Sequence, residues 1–147
     1  MYTGFMTYKM WRFSIKETIM AENKSEEKVY NIGVEATMDV IGGKWKPIIL
    51  CTLRHGVKRT GELQRSIPNI SQKMLIQQLR ELEQDDIVRR HVYREVPPRV
   101  EYTISPYGES LGQVLDLLCG WGESHVAKLQ AEGKPVSLHC SGDVEVK

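Results

Sequence analysis

The sequence has no long apolar segment and few cysteines. Its longest apolar run is Ile48–Cys51, whereas a membrane-spanning helix needs about 20 such residues. Charged residues interrupt the first part of the chain, which excludes a secretory signal. The three cysteines and four histidines are widely separated, so neither a disulfide framework nor a metal site is indicated. These absences favour a cytoplasmic globular protein without a cofactor.

Catalytic motifs are also absent. The sequence contains no Walker A loop, zinc-binding helix motif or nucleophile elbow. The segment Gly42-Gly43-Lys44 superficially suggests a phosphate loop, but the residues around it lack the required spacing. It is more simply interpreted as a turn between helices. We therefore assign no catalytic residues and do not expect an enzyme.

Charge is unevenly distributed along the chain. The net charge is only +1, but residues 44–99 contain twelve basic and six acidic side chains. The rest of the chain contains eight basic and thirteen acidic residues. A basic segment in a nearly neutral protein is typical of a surface that binds polyanions, although a solvated surface with uneven charge would give the same counts.

Apolar residues recur at helical spacing in four short segments. They predict helices over Val34–Ile41, Trp45–Arg54, Thr60–Ile67 and Ser71 to about Asp85, with Thr60 and Ser71 as N-caps. A short turn joins the third and fourth helices, which is the spacing of a helix-turn-helix unit. The inner face of the second helix is predicted to consist of Trp45, Ile48, Ile49, Thr52 and Leu53.

A β-hairpin and a long helix follow. Ile87–Tyr93 and Val100–Ile104 are rich in β-forming residues and predict two strands joined by the tip Arg94–Arg99. Ser105 and Pro106 are expected to begin the final helix. Its apolar stripe is larger than one small domain can cover, so it predicts a dimer interface together with the helix Val34–Ile41. The residues assigned to dimerisation are Leu111, Val114, Leu115, Leu118 and Trp121.

The fourth predicted helix has two chemically different faces. At about 100° per residue, Leu75, Leu79 and Leu82 form an apolar face. The polar residues of the opposite face can all donate hydrogen bonds, and they are Lys73, Gln77, Arg80 and Gln84, with Gln72 and Ile76 beside them. Gln can read adenine and Lys or Arg can read guanine, whereas carboxylates would repel phosphates. An ordinary surface helix would mix charges of both signs, so this pattern favours DNA recognition.

Two further elements add candidate DNA contacts. The hairpin tip presents Arg94 and Arg99 on a backbone stiffened by two prolines, as a wing that touches the DNA backbone or minor groove would. A proline-rich surface loop is the alternative. Arg59 and Thr60 begin the third helix and are candidates for a phosphate contact, with capping and solubility as the alternative. Ser71, at the start of the fourth helix, completes the predicted set.

Four segments resemble one family of regulators. Val34–Lys46, Ile67–Leu75, Leu79–Glu83 and Val92–Tyr102 are similar, in this order, to motifs of the HxlR-type regulators, a group related to the MarR-like winged helix proteins. The resemblance implies an α+β, mostly α, winged helix-turn-helix protein whose terminal helices form a homodimer that binds inverted-repeat operators. Many members carry a cysteine just before the Val-Glu pair, which senses oxidants or electrophiles in some of them. This chain has Ile32 and Gly33 at that place, so the thiol that would sense oxidants at that site is absent.

The predicted organisation has three parts. Residues 1–28 form a mobile N-terminal extension, residues 29–130 a DNA-binding and dimerisation domain, and residues 131–147 a C-terminal tail. The expected partners are double-stranded operator DNA, a second copy of the chain, and a small-molecule or redox effector of unknown identity, with no membrane. Cys51 is interpreted as a small core hydrophobe, and the sequence leaves the reactivity of Cys119 open. The alternative function is a winged helix module that binds proteins without specific DNA binding.

Overall fold

The computed structural model of the chain describes residues 26–139. Its helices are α1 (Gly33–Ile41), α2 (Trp45–Leu53), α3 (Thr60–Ser66), α4 (Gln72–Gln84) and α5 (Gly112–Ala131), and its strands are β1 (Lys58–Arg59), β2 (Val88–Tyr93) and β3 (Arg99–Ile104). None of the helices within residues 26–139 is long and apolar enough to cross a membrane. Most of the predicted N-terminal extension, and residues 140–147 of the predicted tail, lie outside the described residues.

The core forms where α2, α3 and α4 pack against the sheet. Leu75, Leu79 and Leu82 are completely buried, so the predicted inner face of α4 is confirmed. Burying one such side chain contributes roughly 1.5–3 kcal/mol, and three of them on one helix fix which way α4 faces. The remaining core residues lie in the unit Ala36–Lys147 and are Ile41, Ile49, Leu50, Leu53, Leu63, Ile67, Ile70, Ile87, Val88, Tyr102 and Leu115.

The inner face of α2 differs from its prediction. Ile49 and Leu53 are buried as expected, but three predicted members are partly or largely exposed: Trp45, Ile48 and Thr52. Lys46 and Leu50 are buried in their place. The buried positions follow the regular spacing i, i+3, i+4, i+7 of an inward helical stripe. The prediction is wrong at Ile48, because the buried stripe begins at Lys46, a residue type that is usually exposed. Trp45 still packs partly against the core.

Helices α3 and α4 form the helix-turn-helix unit. The Ser71 hydroxyl caps α4, as predicted, because it accepts a hydrogen bond of 3.1 Å from the backbone amide of Met74. Asn69 turns the chain between the helices with φ of 68°, a left-handed conformation that asparagine tolerates. The predicted cap of α3 is wrong. Thr60 is the first helical residue and Arg59 is the N-cap, whose backbone amide donates a 2.7 Å hydrogen bond to Glu62.

The strands form an antiparallel sheet in the order β1-β3-β2. Val88 pairs with Ile104 and Tyr93 pairs with Arg99, so the predicted hairpin is confirmed, with residues 94–98 as its tip. On the other side of β3, Arg59 of β1 pairs with Glu101, which brings the start of α3 beside the hairpin. Helix-turn-helix and hairpin together form the predicted winged helix-turn-helix fold.

The connection from β3 to α5 begins at the buried Ser105. Its hydroxyl oxygen accepts a 2.8 Å hydrogen bond from the backbone amide of Gly108 and donates one to the carbonyl of Asp86. The predicted helix start at Pro106 is wrong, because the capped segment is a short 3₁₀ helix, Gly108–Leu111, and α5 begins only after it. Gly108 packs so closely on the Ile87 carbonyl that a Cβ atom would overlap the oxygen.

Candidate nucleic-acid interface

Helix α4 presents its predicted outer face to solvent. Its polar members are all exposed, namely Gln72, Lys73, Gln77, Arg80 and Gln84, whereas Ile76 is half-buried. Because the leucines on the opposite side of α4 are buried in the core, this face points to solvent. It therefore offers a row of hydrogen-bond donors, which suits base edges and phosphate oxygens.

One carboxylate touches this row, and a buried lysine neutralises it. Lys46 is only 7% exposed, and its Nζ lies 2.7 Å from Oε2 of Glu81. The other oxygen of Glu81 accepts a 3.4 Å hydrogen bond from the Gln77 amide. The hydrogen bond from Lys46 holds the pKa of Glu81 below its usual 4.5, so the carboxylate is ionised at neutral pH. Three side chains thus connect α2 to the middle of the exposed row.

The sequence prediction missed Lys46 and Glu81 as parts of this site. Both could have been found from spacing. Lys46 shares a helical stripe with Ile49, and Glu81 follows Gln77 by four residues, which places them on the same side of α4. Which lysine pairs with which glutamate is a long-range contact, however, and no local pattern specifies it.

The two predicted wing arginines have different surroundings. Arg94 is exposed at the end of β2. The Arg99 guanidinium lies 4.1 Å from the centre of the Tyr93 ring and forms ion pairs of 3.4 Å with Glu95 and with Glu101. Such an arrangement combines cation–π and ionic attraction. Arg99 therefore stabilises the base of the wing, whereas Arg94 is directed to solvent.

The start of α3 borders the wing. An open depression of about 430 Å³ lies between Arg59 and Thr60 on one side and the hairpin residues 95–100 on the other. Arg59 is exposed and Thr60 half-buried. The structure thus brings these two predicted residues and Arg99 together around one surface feature.

The predicted dimerisation residues lie on two sides of α5, except Leu111, which lies in the 3₁₀ helix before it. Leu115 is buried in the core of its own chain, so it is not available to a partner, and Leu111 packs partly against the same core. Leu117, which the prediction omitted, is 75% exposed and Trp121 is 70% exposed. We define the outer face of α5 as the exposed apolar residues Val114, Leu117, Leu118 and Trp121. The prediction was wrong for Leu115 because apolar residues that face the core and apolar residues that face outward look alike in the sequence.

The sequence and the fold are similar to those of known regulators. Residues 40–130 match the family described as HxlR-like helix-turn-helix. The uncharacterized HTH-type transcriptional regulator YtcD of Bacillus subtilis is 60% identical over 107 residues, which cover 73% of this chain and 85% of YtcD. Among solved structures, the redox regulator HypR in its reduced form has a TM-score of 0.64 at 47% identity, covering 68% of this chain and 99% of that chain. A transcriptional regulator of the MarR family from Enterococcus faecalis V583 has a TM-score of 0.60 at 38% identity, covering 75% and 99%.

The ion pair between Lys46 and Glu81 makes a testable contribution to stability. We expect Glu81→Gln to lower the melting temperature by several degrees near pH 7, because it leaves Lys46 buried without a counter-charge. Since the pKa of Glu81 is lowered by folding, the stabilisation is present above its unfolded value of 4.5 and is lost as pH falls through the folded value. The difference in melting temperature between the original protein and Glu81→Gln should therefore shrink in acid.

Glu83→Gln provides the matched control, because Glu83 is an exposed glutamate on the same helix. It removes the same charge without uncovering a buried lysine, so its effect should be small at every pH. Equal effects of the two substitutions across the pH range would show that the Lys46 pair does not stabilise the fold.

Proposed function

The chain belongs to the HxlR-like helix-turn-helix family, and from this premise we propose that it binds an inverted-repeat operator in double-stranded DNA as a homodimer. Its relatives are transcriptional regulators, so the chain is a regulator with a helix-turn-helix domain and not an enzyme. The operator and the dimer go beyond this family assignment and depend on the surfaces of α4, the wing and α5.

The observation that carries the proposal is the chemistry of the outer face of α4. Its exposed polar side chains donate hydrogen bonds, and the carboxylate that touches it is paired with Lys46. In a helix-turn-helix, the N-terminal part of the second helix lies closest to base edges. The residues proposed to read bases are therefore Gln72, Lys73, Ile76 and Gln77. Arg80 lies one turn further along the helix and is proposed to contact phosphate.

The remaining contacts are proposed to position the protein on the DNA backbone. Arg59 and Thr60 begin α3, Ser71 caps α4, and Arg94 is exposed at the wing tip. Contacts of this kind fix register without reading sequence. Arg99 contributes indirectly, since its ion pairs and its contact with Tyr93 hold the wing in place.

The outer face of α5 is proposed to pack against the same face of a second copy. A contiguous group of exposed large apolar side chains is costly on a monomer and typical of an interaction surface. Met38 of α1 is also exposed and would extend the contact. A twofold axis through this interface makes the two recognition helices equivalent, which matches an inverted repeat with half-sites about 34 Å apart.

Binding to duplex DNA is expected to weaken steeply with salt. Each phosphate contact contributes about −0.9 to the slope of log K against log salt concentration. Arg94→Gln should reduce the magnitude of that slope by about 1.8, because a dimer loses one contact from each wing. Arg99→Gln removes the same charge from a residue already paired within the chain, so it should change the slope less. Fluorescence anisotropy with a duplex selected from a random pool measures these slopes.

A slope near zero for the unmodified protein would rule out contact with the DNA backbone. It would favour the alternative function, a winged helix module that binds proteins. An equal loss of slope in Arg94→Gln and Arg99→Gln would show instead that both arginines reach phosphate.

Gln77 and Arg80 are expected to play different roles on the same face of α4. Gln77→Ala should relax the base preference at one symmetric pair of operator positions, with a loss of roughly 1–3 kcal/mol of discrimination there. Arg80→Ala should weaken binding to all sequences by a similar factor, because it loses a phosphate contact. Selection of binding sites from a random pool with each variant measures both effects. An unchanged preference and affinity in Gln77→Ala would contradict the proposed reading face.

Light scattering is expected to give about twice the chain mass of 16.9 kDa. Leu117→Glu should shift the protein toward monomer, because it places a charge in the apolar interface. Leu138→Glu is a matched control, since Leu138 is an exposed leucine beyond the end of α5. A monomer in the unmodified protein at micromolar concentration would refute the dimer, and equal dissociation by both variants would move the interface away from the outer face of α5.

A further inference from the structure

Two cysteines distant in sequence meet where α5 crosses α2. Cys51 lies on α2 and Cys119 on α5, and their sulfur atoms are 4.0 Å apart. Cys51 is half-buried and Cys119 is exposed. The distance is about twice the length of an S–S bond, about 2.05 Å. The DNA-binding role proposed above makes no use of this pair.

An ion pair one helical turn away holds the two helices in register. Arg54 follows Cys51 by three residues and Asp116 precedes Cys119 by three, and Arg54 Nη2 lies 3.3 Å from Oδ2 of Asp116. The hydrogen bond from Arg54 keeps the pKa of Asp116 below its usual value. Two contacts about one helical turn apart therefore connect α2 and α5: Cys51 with Cys119, and Arg54 with Asp116. The packing of α5 on α2 therefore sets the distance between the two thiols.

The thiol pair lies on a different side of α5 from the proposed dimer interface. At about 100° per residue, Cys119 is about 150° around the helix axis from the middle of the outer face of α5. A second copy packed on Leu117 and Trp121 would leave Cys119 uncovered. An oxidant can therefore reach Cys119 in the dimer as well as in the monomer.

We propose that Cys51 and Cys119 form an intrachain dithiol pair that hydroperoxides oxidise to a disulfide. The exposed Cys119 sulfur, as a thiolate, attacks the terminal oxygen of a hydroperoxide and breaks the O–O bond. The hydroxyl group stays on Cys119 as a sulfenic acid, and the leaving alkoxide, or hydroxide from hydrogen peroxide, takes a proton from water and leaves as alcohol or water. The Cys51 sulfur then attacks the Cys119 sulfur, forms the S–S bond and expels hydroxide, which takes the Cys51 proton and leaves as water. The two thiols lose two electrons and the hydroperoxide is reduced to alcohol and water.

The surroundings of the two thiols assign these roles. Burial raises the pKa of Cys51 to about 11, and the neighbouring Cys119 adds to this effect, so Cys51 stays protonated at neutral pH. Thiolates are the reactive form, and access also limits attack on an oxidant. Cys119 is therefore the residue that meets the hydroperoxide, and Cys51 is the residue that resolves the sulfenic acid.

Closing the bond has a mechanical consequence for α5. The sulfurs must approach by about 2 Å, and the part of this approach that side-chain rotation does not supply would displace α5 toward α2. Because α5 carries the proposed dimer face, the displacement would change the spacing of the two recognition helices. This regulatory part rests on the proposed function, and it predicts that oxidation lowers operator affinity.

The thiol chemistry can be tested by mass spectrometry on the full chain. Cys140→Ser removes the third cysteine and serves as the background. After treatment with equimolar hydrogen peroxide and then N-ethylmaleimide, the unreduced chain should lose two hydrogens and take up no maleimide. Reduction before alkylation should restore two adducts. Adding Cys51→Ser should stop the reaction at a sulfenic acid that dimedone traps on Cys119.

Three results would contradict the proposed intrachain disulfide between Cys51 and Cys119. They are a disulfide-linked dimer as the main product, two maleimide adducts after peroxide treatment, and the same loss of two hydrogens in the Cys51→Ser variant as in its background. All of these readouts are independent of DNA, so they judge the thiol pair even if the operator proposal fails.

The proposed effect of oxidation on DNA binding is tested by measuring affinity for the operator. Oxidation should lower the affinity of the background protein for its selected duplex by about fivefold or more, and a reductant should restore it. The Cys51→Ser variant should show no comparable change. A disulfide that forms without any change in affinity would refute the regulatory role, whereas a reduced protein that binds no DNA would refute the proposed function instead.

Discussion

The burial of one leucine face of α4 is the constraint on which the rest of the interface depends. Leu75, Leu79 and Leu82 occupy the centre of the core, so α4 cannot rotate about its axis without exposing them to water. The donor row on the opposite side has a single orientation as a result. The Lys46–Glu81 ion pair adds a second restraint, because a nearly buried lysine is tolerated only while its counter-charge stays in place. Apolar packing and one charge pair thus define the same surface.

The elements that the sequence predicted well are those governed by neighbouring residues. The two faces of α4, the Ser71 cap and the two strands of the hairpin follow from helical spacing, a local hydrogen bond and strand alternation. Two of the failures involve partners that local spacing does not specify. The buried role of Lys46 depends on a glutamate two helices later, and the position of Arg99 depends on Tyr93 across the hairpin. Periodicity does not encode either partner.

The role of each residue on α5 also could not be predicted from the sequence. Different sides of this helix face the core, α2 and the outside of the chain. Leu115 faces the core, Asp116 and Cys119 face α2, and Leu117 and Trp121 face outward. An apolar stripe in the sequence cannot say which leucine packs inside its own chain and which meets another molecule, since both environments select the same residue types. The division follows only when the tertiary packing of α2 and α5 is known.

The ordered base of the wing has a consequence for how affinity responds to sequence changes. Arg99 is fixed by Glu95, Glu101 and Tyr93 in the unbound chain, so the conformational entropy of that side chain is lost on folding and not on binding. Ordering a long side chain at an interface otherwise costs about 0.5–1.5 kcal/mol. Observed affinity scales with the fraction of molecules whose wing is already arranged for binding. In the proposed complex, the residues around Arg99 would therefore set affinity through the unbound ensemble, at positions that touch no nucleotide.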